Sequence, residues 1–99
     1  MQSRTGDNTM HINDAIARYP GVQGGYPVIA GTRTPVRTVV ELYYEVYPYD
    51  IEEVHRSLPH LEMKQIRAAL AYYDEQPELV DEDIVRQKEA LRKILTVNL

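Results

Sequence analysis

Apolar side chains recur at helical spacing in three successive segments between residues 34 and 76. Pro48, Pro59 and Pro77 separate or end these segments. The positions predicted to face inward are Val36, Val39, Val40, Tyr43 and Val46 in the first segment, Ile51, Val54 and Leu58 in the second, and Met63, Ile66, Leu70 and Tyr73 in the third. The pattern predicts three short helices joined by tight turns, as in a helix-turn-helix unit.

Capping residues mark where two of these helices begin. Thr34 offers a hydroxyl cap and Pro35 suits the first helical position. Asp50 and Glu53 form a pair that resembles a capping box at the start of the second helix.

A fourth helix is predicted after Pro77. Acidic residues lie near its start and basic residues near its end, which complements the helix dipole. Glu82 with Arg86 and Glu89 with Lys93 are spaced for ion pairs four residues apart. Its apolar stripe consists of Val80, Ile84, Leu91, Ile94 and Leu95.

Glycine and proline punctuate the chain before the first helix. Ile16 and its apolar neighbours predict a short helix or strand ahead of Pro20. Val28-Ile29 and Thr32-Arg33 flank Ala30-Gly31, which predicts a small β-hairpin with a positive φ at Gly31.

The predicted fold class is mainly α. A three-helix homeodomain-like or winged helix-turn-helix core carries a small N-terminal β-hairpin and an extra C-terminal helix. The predicted divisions are a flexible tail at residues 1–11, the helix-turn-helix domain at 12–76, and a C-terminal helix at 77–99 that serves as a dimerisation or partner-binding arm.

Composition narrows the classes of function. The 99 residues carry a net charge of −4 and no cysteine, which excludes disulfides and thiol chemistry. No apolar stretch has the length of a membrane span, so we expect a cytoplasmic protein without a membrane partner. Between residues 18 and 40 the charged side chains are all arginines, namely Arg18, Arg33 and Arg37.

Catalytic and metal-binding patterns are weak. His55 and His60 share no helix face, and with Glu52 and Glu53 they lack the tight spacing of zinc motifs. Neither serine has a partnered base, and no phosphate-binding glycine loop precedes a helix. We therefore expect no enzyme activity, no catalytic residue, no metal and no cofactor.

The run from Pro20 to Val36 resembles a family signature. It reads Pro-Gly-x-x-Gly-Gly-x-Pro-Val-Ile-x-Gly-Thr-Arg-x-Pro-Val, which is similar to the signature of the small bacterial proteins of family DUF433. The resemblance implies homeodomain-like or winged-helix proteins, some of which look like antitoxins encoded beside PIN-like ribonuclease toxins. It implies an operator DNA and a PIN-like toxin as partners. This chain has Tyr26 and Ala30 where the family often has basic residues, so one copy would make fewer phosphate contacts. We therefore expect it to bind DNA as a homodimer, which doubles the number of these contacts.

The third helix is the candidate reader of DNA. Its outward face presents side chains suited to base and phosphate contact, beside alanines that let the backbone approach a base edge. The predicted DNA-binding residues are Arg33, Arg37, Lys64, Gln65, Arg67 and Ala68. Ordinary solvated charges explain the same cations equally well.

Tyrosines and the fourth helix are the candidate protein interface. All eight aromatic residues are tyrosines, which suit wet interfaces and small cores alike. Tyr43 and Tyr73 are predicted to be core residues. The predicted interface residues are Tyr44, Tyr47, Tyr72, Ile84, Leu91, Ile94 and Leu95. The alternative function is a non-catalytic protein–protein interaction module that binds no DNA.

Overall fold

The computed structural model describes residues 10–11 and 14–97, and four helices and a small antiparallel sheet make up this part of the chain. The strands are β1 (Met10–His11), β2 (Ile16–Arg18) and β3 (Val28–Ile29). The helices are α1 (Val36–Glu41), α2 (Ile51–Ser57), α3 (Met63–Glu75) and α4 (Pro77–Val97), with a π-helical turn at Leu42–Val46 that extends α1. The predicted mainly α fold with a small N-terminal β element and an extra C-terminal helix is confirmed.

The sheet pairs different segments from those predicted. Its strand order is β1-β2-β3 with both pairings antiparallel, and Ile16 lies opposite Ile29. The predicted partner Thr32-Arg33 is not a strand, because the Thr32 hydroxyl donates to the Ile29 carbonyl at 2.8 Å and accepts from the Thr34 amide at 3.0 Å. The positive φ predicted for Gly31 is confirmed at +79°.

The structure modifies one predicted boundary near the N-terminus. Residues 10–11 form β1 and so do not belong to the flexible tail predicted at 1–11, while residues 1–9 lie outside the described residues. In the described part of the chain, no helix is both long and apolar enough to cross a membrane.

Helix α1 starts one residue later than predicted. Pro35 is extended, with φ −74° and ψ 149°, because it forms an isolated β-bridge with Val28. Thr34 therefore does not cap α1. Its hydroxyl instead contacts His60 Nε2 at 2.7 Å, which ties the loop before α1 to the turn between α2 and α3.

Helices α2 and α3 both have side-chain caps at their starts. Asp50 Oδ1 accepts a hydrogen bond from the Glu53 backbone amide at 3.2 Å, as the sequence predicts. The Glu53 carboxylate does not reciprocate, because it binds Arg56. At α3, the Glu62 amide donates to Gln65 Oε1 at 2.7 Å.

The core lies between the sheet and the four helices. Its α3 contribution is Ile66, Ala69 and Tyr72, whereas Leu70 and Tyr73 are only half-buried. Strand β2 also packs on α3 and buries a face that helical periodicity alone does not reveal. The other buried members of the core are Ile16, Ile29, Val36, Val39, Val40, Val54, Leu61, Val80 and Ile84.

Helix α4 has two halves with different surroundings. Val80, Asp83 and Ile84 in the first half are buried against the domain. Leu91, Ile94 and Leu95 in the second half are 57%, 57% and 59% exposed. The predicted boundary at residue 77 therefore cuts through the core, and only the second half of α4 projects as an arm.

Candidate nucleic-acid interface and partner surface

The start of α3 presents two cations to solvent. Lys64 is 84% exposed, and its Nζ lies 3.6 Å from a carboxylate oxygen of Glu62. Arg67 is exposed and forms no ion pair with another described residue. Both side chains are therefore at the surface, where the sequence predicts them.

Gln65 and Ala68 lie beside these cations but are half-buried. The side-chain oxygen of Gln65 already accepts a hydrogen bond from the Glu62 backbone amide, so this side chain stabilises the start of α3. A depression of about 320 Å³ adjoins it, lined by Asp14, Ala15, Ala30, Lys64 and Gln65.

The loop that carries Arg33 is held next to the turn that leads into α3. The contact between Thr34 and His60 joins the two segments, and Ala30 of the same loop lines the depression with Lys64. Arg33 is exposed and forms no ion pair within the described ranges. Its carbonyl accepts from Gln23 Nε2 at 3.2 Å, which fixes the backbone at this point.

The predicted role of Arg37 in phosphate contact is wrong. Its side chain is only 11% exposed, and its Nε lies 3.1 Å from Oδ2 of Asp83, which is 1% exposed. Its Nη2 also donates to Gln23 Oε1 at 3.0 Å. Arg37 is nearly buried and engaged in an internal ion pair, so it does not present its charge at the surface.

Asp83 is the centre of a cluster that we call the arginine clamp, formed by Arg37, Asp83 and Arg86. Arg86 Nη2 donates to Asp83 Oδ1 at 2.7 Å. The 3.1 Å contact between Arg37 and Asp83 is an ion pair whose atoms are not aligned for a hydrogen bond. The clamp joins α1 to α4 through a buried carboxylate, which needs such partners to remain charged.

The clamp also contacts the loop between β2 and β3, residues 19–27, which we call the glycine-rich loop. The Arg86 guanidinium carbon lies 4.8 Å from the centre of the Tyr26 ring, and a Cβ on Gly24 would lie 3.3 Å from that same carbon. Tyr26 donates its hydroxyl to Glu82 at 2.6 Å, and this bond is the main reason that the pKa of Tyr26 is raised. Asp83 was not identified as a buried residue from the sequence. Asp83 follows Val80 by three residues and therefore lies on the apolar stripe of α4, and an acidic residue in that position is a signal for a buried carboxylate.

Two predicted interface residues are core residues. Tyr72 is 2% exposed and Ile84 is 9% exposed, so neither is available to a partner. Tyr47 is half-buried and packs against the core, whereas Tyr44 is 37% exposed. Tyr49, which the sequence did not single out as an interface residue, is 71% exposed.

Four tyrosines form a continuous surface that we call the tyrosine patch, namely Tyr43, Tyr44, Tyr49 and Tyr73. Neighbouring ring centres are 5.0 to 5.8 Å apart, mostly in edge-to-face geometry. Tyr73 donates to Asp81 Oδ1 at 2.8 Å, which raises the pKa of Tyr73 to about 12. Burial, followed by the charge of Asp74, raises the pKa of Tyr44. Tyr43 and Tyr73 are half-buried and pack against the core, so the predicted core role holds for only part of each ring.

His55 and His60 make separate structural contacts. His55 Nε2 lies 3.0 Å from the Leu61 carbonyl, while His60 contacts Thr34. Within the described residues, no group of three His, Asp or Glu side chains is arranged to hold a metal ion.

A family model described as "Protein of unknown function (DUF433)" matches residues 16–73. This chain belongs to the DUF433 family. A search of curated proteins found no match. The chain is similar to a solved DUF433 member protein from Anabaena variabilis ATCC 29413, with 35% sequence identity and a TM-score of 0.62, and the match covers 72% of this chain and 68% of that one.

The DUF433 match includes the loop, α1, α2 and most of α3, but it ends before α4. Arg37 lies inside the matched region, whereas Asp83 and Arg86 lie beyond it. The clamp therefore joins the DUF433 region to the first half of α4, and the exposed half of α4 extends from that attachment.

Proposed function

We propose that this chain is an antitoxin-like DNA-binding protein that neutralises a PIN-like ribonuclease toxin and represses its own operon. The observation that supports DNA binding best is the exposure of Lys64 and Arg67 on α3. Helix α3 is the second helix of the pair formed with α2, the position of the recognition helix in a helix-turn-helix unit.

In this mechanism, the first half of α3 enters the major groove. Arg67 contacts a guanine edge or a phosphate, and the small side chain of Ala68 lets the helix backbone approach the bases. Arg33 binds an adjacent phosphate, since its loop is tied to the turn before α3. Lys64 supplies a further positive charge near the backbone of the DNA.

A symmetric dimer is part of the proposal because a single unit offers few phosphate contacts. The net charge is −4, and Arg37 is occupied by Asp83. Each phosphate contact contributes to a salt-dependent affinity, so two copies double a footprint that is small for one copy. A two-fold dimer places two α3 helices in successive major grooves.

Neutralisation of the toxin is assigned to the exposed half of α4. Leu91, Ile94 and Leu95 are each more than half exposed, and such apolar side chains gain stability when a partner covers them. The nuclease class of the partner comes from the family resemblance alone, which is an argument by analogy.

A second candidate function is an interaction module without DNA. The pairing of Lys64 with Glu62, and the nearby carboxylate of Asp14, favour this alternative because they reduce the positive potential at α3. The tyrosine patch and the exposed half of α4 would then be the only functional surfaces among the described residues.

Fluorescence anisotropy with a duplex from the region upstream of the chain's own reading frame distinguishes the two. We expect tighter binding to this duplex than to a scrambled duplex of equal length, with affinity that falls as salt rises. No detectable binding to either duplex at low salt contradicts DNA binding and supports the interaction module.

Co-purification with the ribonuclease encoded by a neighbouring reading frame tests whether this chain binds a toxin. Leu91→Asp is expected to abolish the co-purification, because it places a charge on the exposed half of α4.

A further inference from the structure

We propose that the tyrosine patch is a docking site for the exposed half of α4 from a second copy of this chain. Each copy inserts its arm, defined as residues 88–96, against the tyrosine patch of the other. This inference rests on the dimer in the proposed function, and it specifies which surfaces form that dimer.

The tyrosine patch has the properties of an unfilled interface. Tyr49 is 71% exposed and Tyr44 is 37% exposed, and the neighbouring Val46 is 54% exposed. Exposed aromatic groups of this kind are typical of protein interfaces because a rigid ring supplies a large contact area at a low entropic cost.

Two acidic side chains, Asp74 and Asp81, lie beside the tyrosine patch. Asp81 accepts the Tyr73 hydroxyl, and the charge of Asp74 raises the pKa of both Tyr44 and Tyr73. Glu45 lies next to Tyr44 in the sequence, and its carboxylate is 56% exposed. The partner that fits this surface is therefore both apolar and positively charged.

The arm has this complementary chemistry. Its apolar side chains are Leu91, Ile94 and Leu95, and all three are more than half exposed. Three basic side chains and one acidic side chain lie between residues 88 and 96, which gives this segment a net charge of +2. The chain thus contains an acidic aromatic surface and a basic aliphatic helix that can cover it.

An arm cannot dock on the tyrosine patch of its own chain. Helix α4 is continuous from Pro77 to Val97, so its second half cannot fold back onto the first. The first half already borders the tyrosine patch of its own chain, because Asp81 bonds to Tyr73. At the base of the arm, Lys88 Nζ lies 3.9 Å from a carboxylate oxygen of Glu45 in the same chain. A second copy must therefore supply the arm.

The lengths of the two surfaces match. The contacts at residues 81 and 88 are seven residues apart on α4, or about 10 Å at 1.5 Å per residue. An arm of nine residues is about 13 Å long. An arm that packs antiparallel beside the α4 of the other copy is therefore long enough to run along the tyrosine patch, and a two-fold axis repeats the contact in the other direction.

Direct pairing of the two arms explains the charges less well. It would bring Arg92 and Lys93 of one copy close to the same residues of the other, while Glu89 is already paired with Arg92 of its own chain. The exchange of arms instead places these cations beside Asp74 and Glu45 of the other copy.

A toxin that binds the arm would compete with dimer formation, because both partners cover the same residues.

Charge reversal tests the exchange without removing core residues. One variant carries Arg92→Glu and Lys93→Glu in the arm, and the other carries Asp74→Lys and Glu45→Lys beside the tyrosine patch. We expect wild-type chain to sediment as a dimer in analytical ultracentrifugation and each variant alone to sediment as a monomer. An equimolar mixture should form a heterodimer, since both of its contacts regain opposite charges.

Circular dichroism of each variant checks that the helices are retained, and Tyr49→Ala gives an independent loss of the aromatic surface. A monomeric wild-type chain overturns the inference. A dimer that persists in Asp74→Lys/Glu45→Lys and in Tyr49→Ala also overturns it, and points to pairing between the arms. Since all these readouts are of oligomeric state, they remain separate from a loss of DNA affinity.

Discussion

Asp83 Oδ2 lies 3.1 Å from Arg37 Nε, and this ion pair joins α4 to the helix that follows the glycine-rich loop. The carboxylate is 1% exposed, and Arg86 also binds it at 2.7 Å. Removal of one partner from such a buried cluster leaves an uncompensated charge in the protein interior. The clamp therefore sets how the first half of α4 packs on the domain, and with it the direction in which the arm projects.

Asp83→Asn is expected to lower the free energy of unfolding by about 3 to 5 kcal/mol, because two guanidinium groups lose their carboxylate. Urea denaturation monitored by circular dichroism measures this change. Glu89→Gln is the matched control, since it removes an exposed pair with Arg92 and should cost less than about 1 kcal/mol. Equal effects of the two substitutions would show that the clamp contributes no more than a surface pair.

Gly24→Ala is expected to destabilise the protein more than Gly31→Ala. Both glycines have positive φ, +65° and +79°, so alanine at either site costs about 1 to 2 kcal/mol in backbone strain. At Gly24 a Cβ would also lie 3.3 Å from the guanidinium carbon of Arg86, whereas no atom lies within 4 Å of a Cβ at Gly31. Displacement of Arg86 should add about 1 kcal/mol or more.

Thermal or urea unfolding of both glycine variants gives the comparison. In an Arg86→Ala background, the extra cost of Gly24→Ala should disappear, because the obstructing side chain is gone. If Gly24→Ala stays the more costly substitution in that background, the clamp is not the cause.

Asp81→Asn is expected to lower the pKa of Tyr73 from about 12 toward its ordinary value of 10, because the carboxylate stabilises the protonated hydroxyl. The stabilisation from this raised pKa is fully present below pH 10 and is lost as the pH rises through 12. Spectrophotometric titration of tyrosinate, with Tyr73→Phe to identify the signal, measures the shift. Superimposable titrations of wild type and Asp81→Asn would rule out the bond between Tyr73 and Asp81.

Helix positions and several local features could be predicted from the sequence. The periodicity located four helices, Asp50 was identified as a cap, and Gly31 was expected to have positive φ. These features depend on residues close together in the chain, where spacing and backbone preference decide the outcome.

Features that depend on distant residues were not predictable in this way. The strand partner of Val28–Ile29 is Ile16–Arg18, because the side chain of Thr32 closes its own loop instead of extending a hairpin. Asp83 and Arg37 are 46 positions apart, so their ion pair leaves no local pattern and Arg37 resembled a free cation.

The candidate DNA face and the candidate protein interface were each predicted only in part, because helical spacing reports local orientation and not contacts with distant elements. Lys64 and Arg67 follow from the helical repeat of α3, which correctly placed them outward. Tyr72 was misplaced because the repeat alone did not show that β2 also packs against α3.

Arg67→Ala tests the central claim that α3 contacts DNA. The measurement is the dependence of operator-duplex affinity on salt concentration, with Arg56→Gln as a control for loss of one exposed positive charge outside α3 and the arm. If Arg67 binds a phosphate, its loss should weaken binding and lower the slope of log affinity against log salt by about 0.9 for each copy bound. An Arg67→Ala variant with the affinity and salt slope of wild type and of Arg56→Gln would contradict the account.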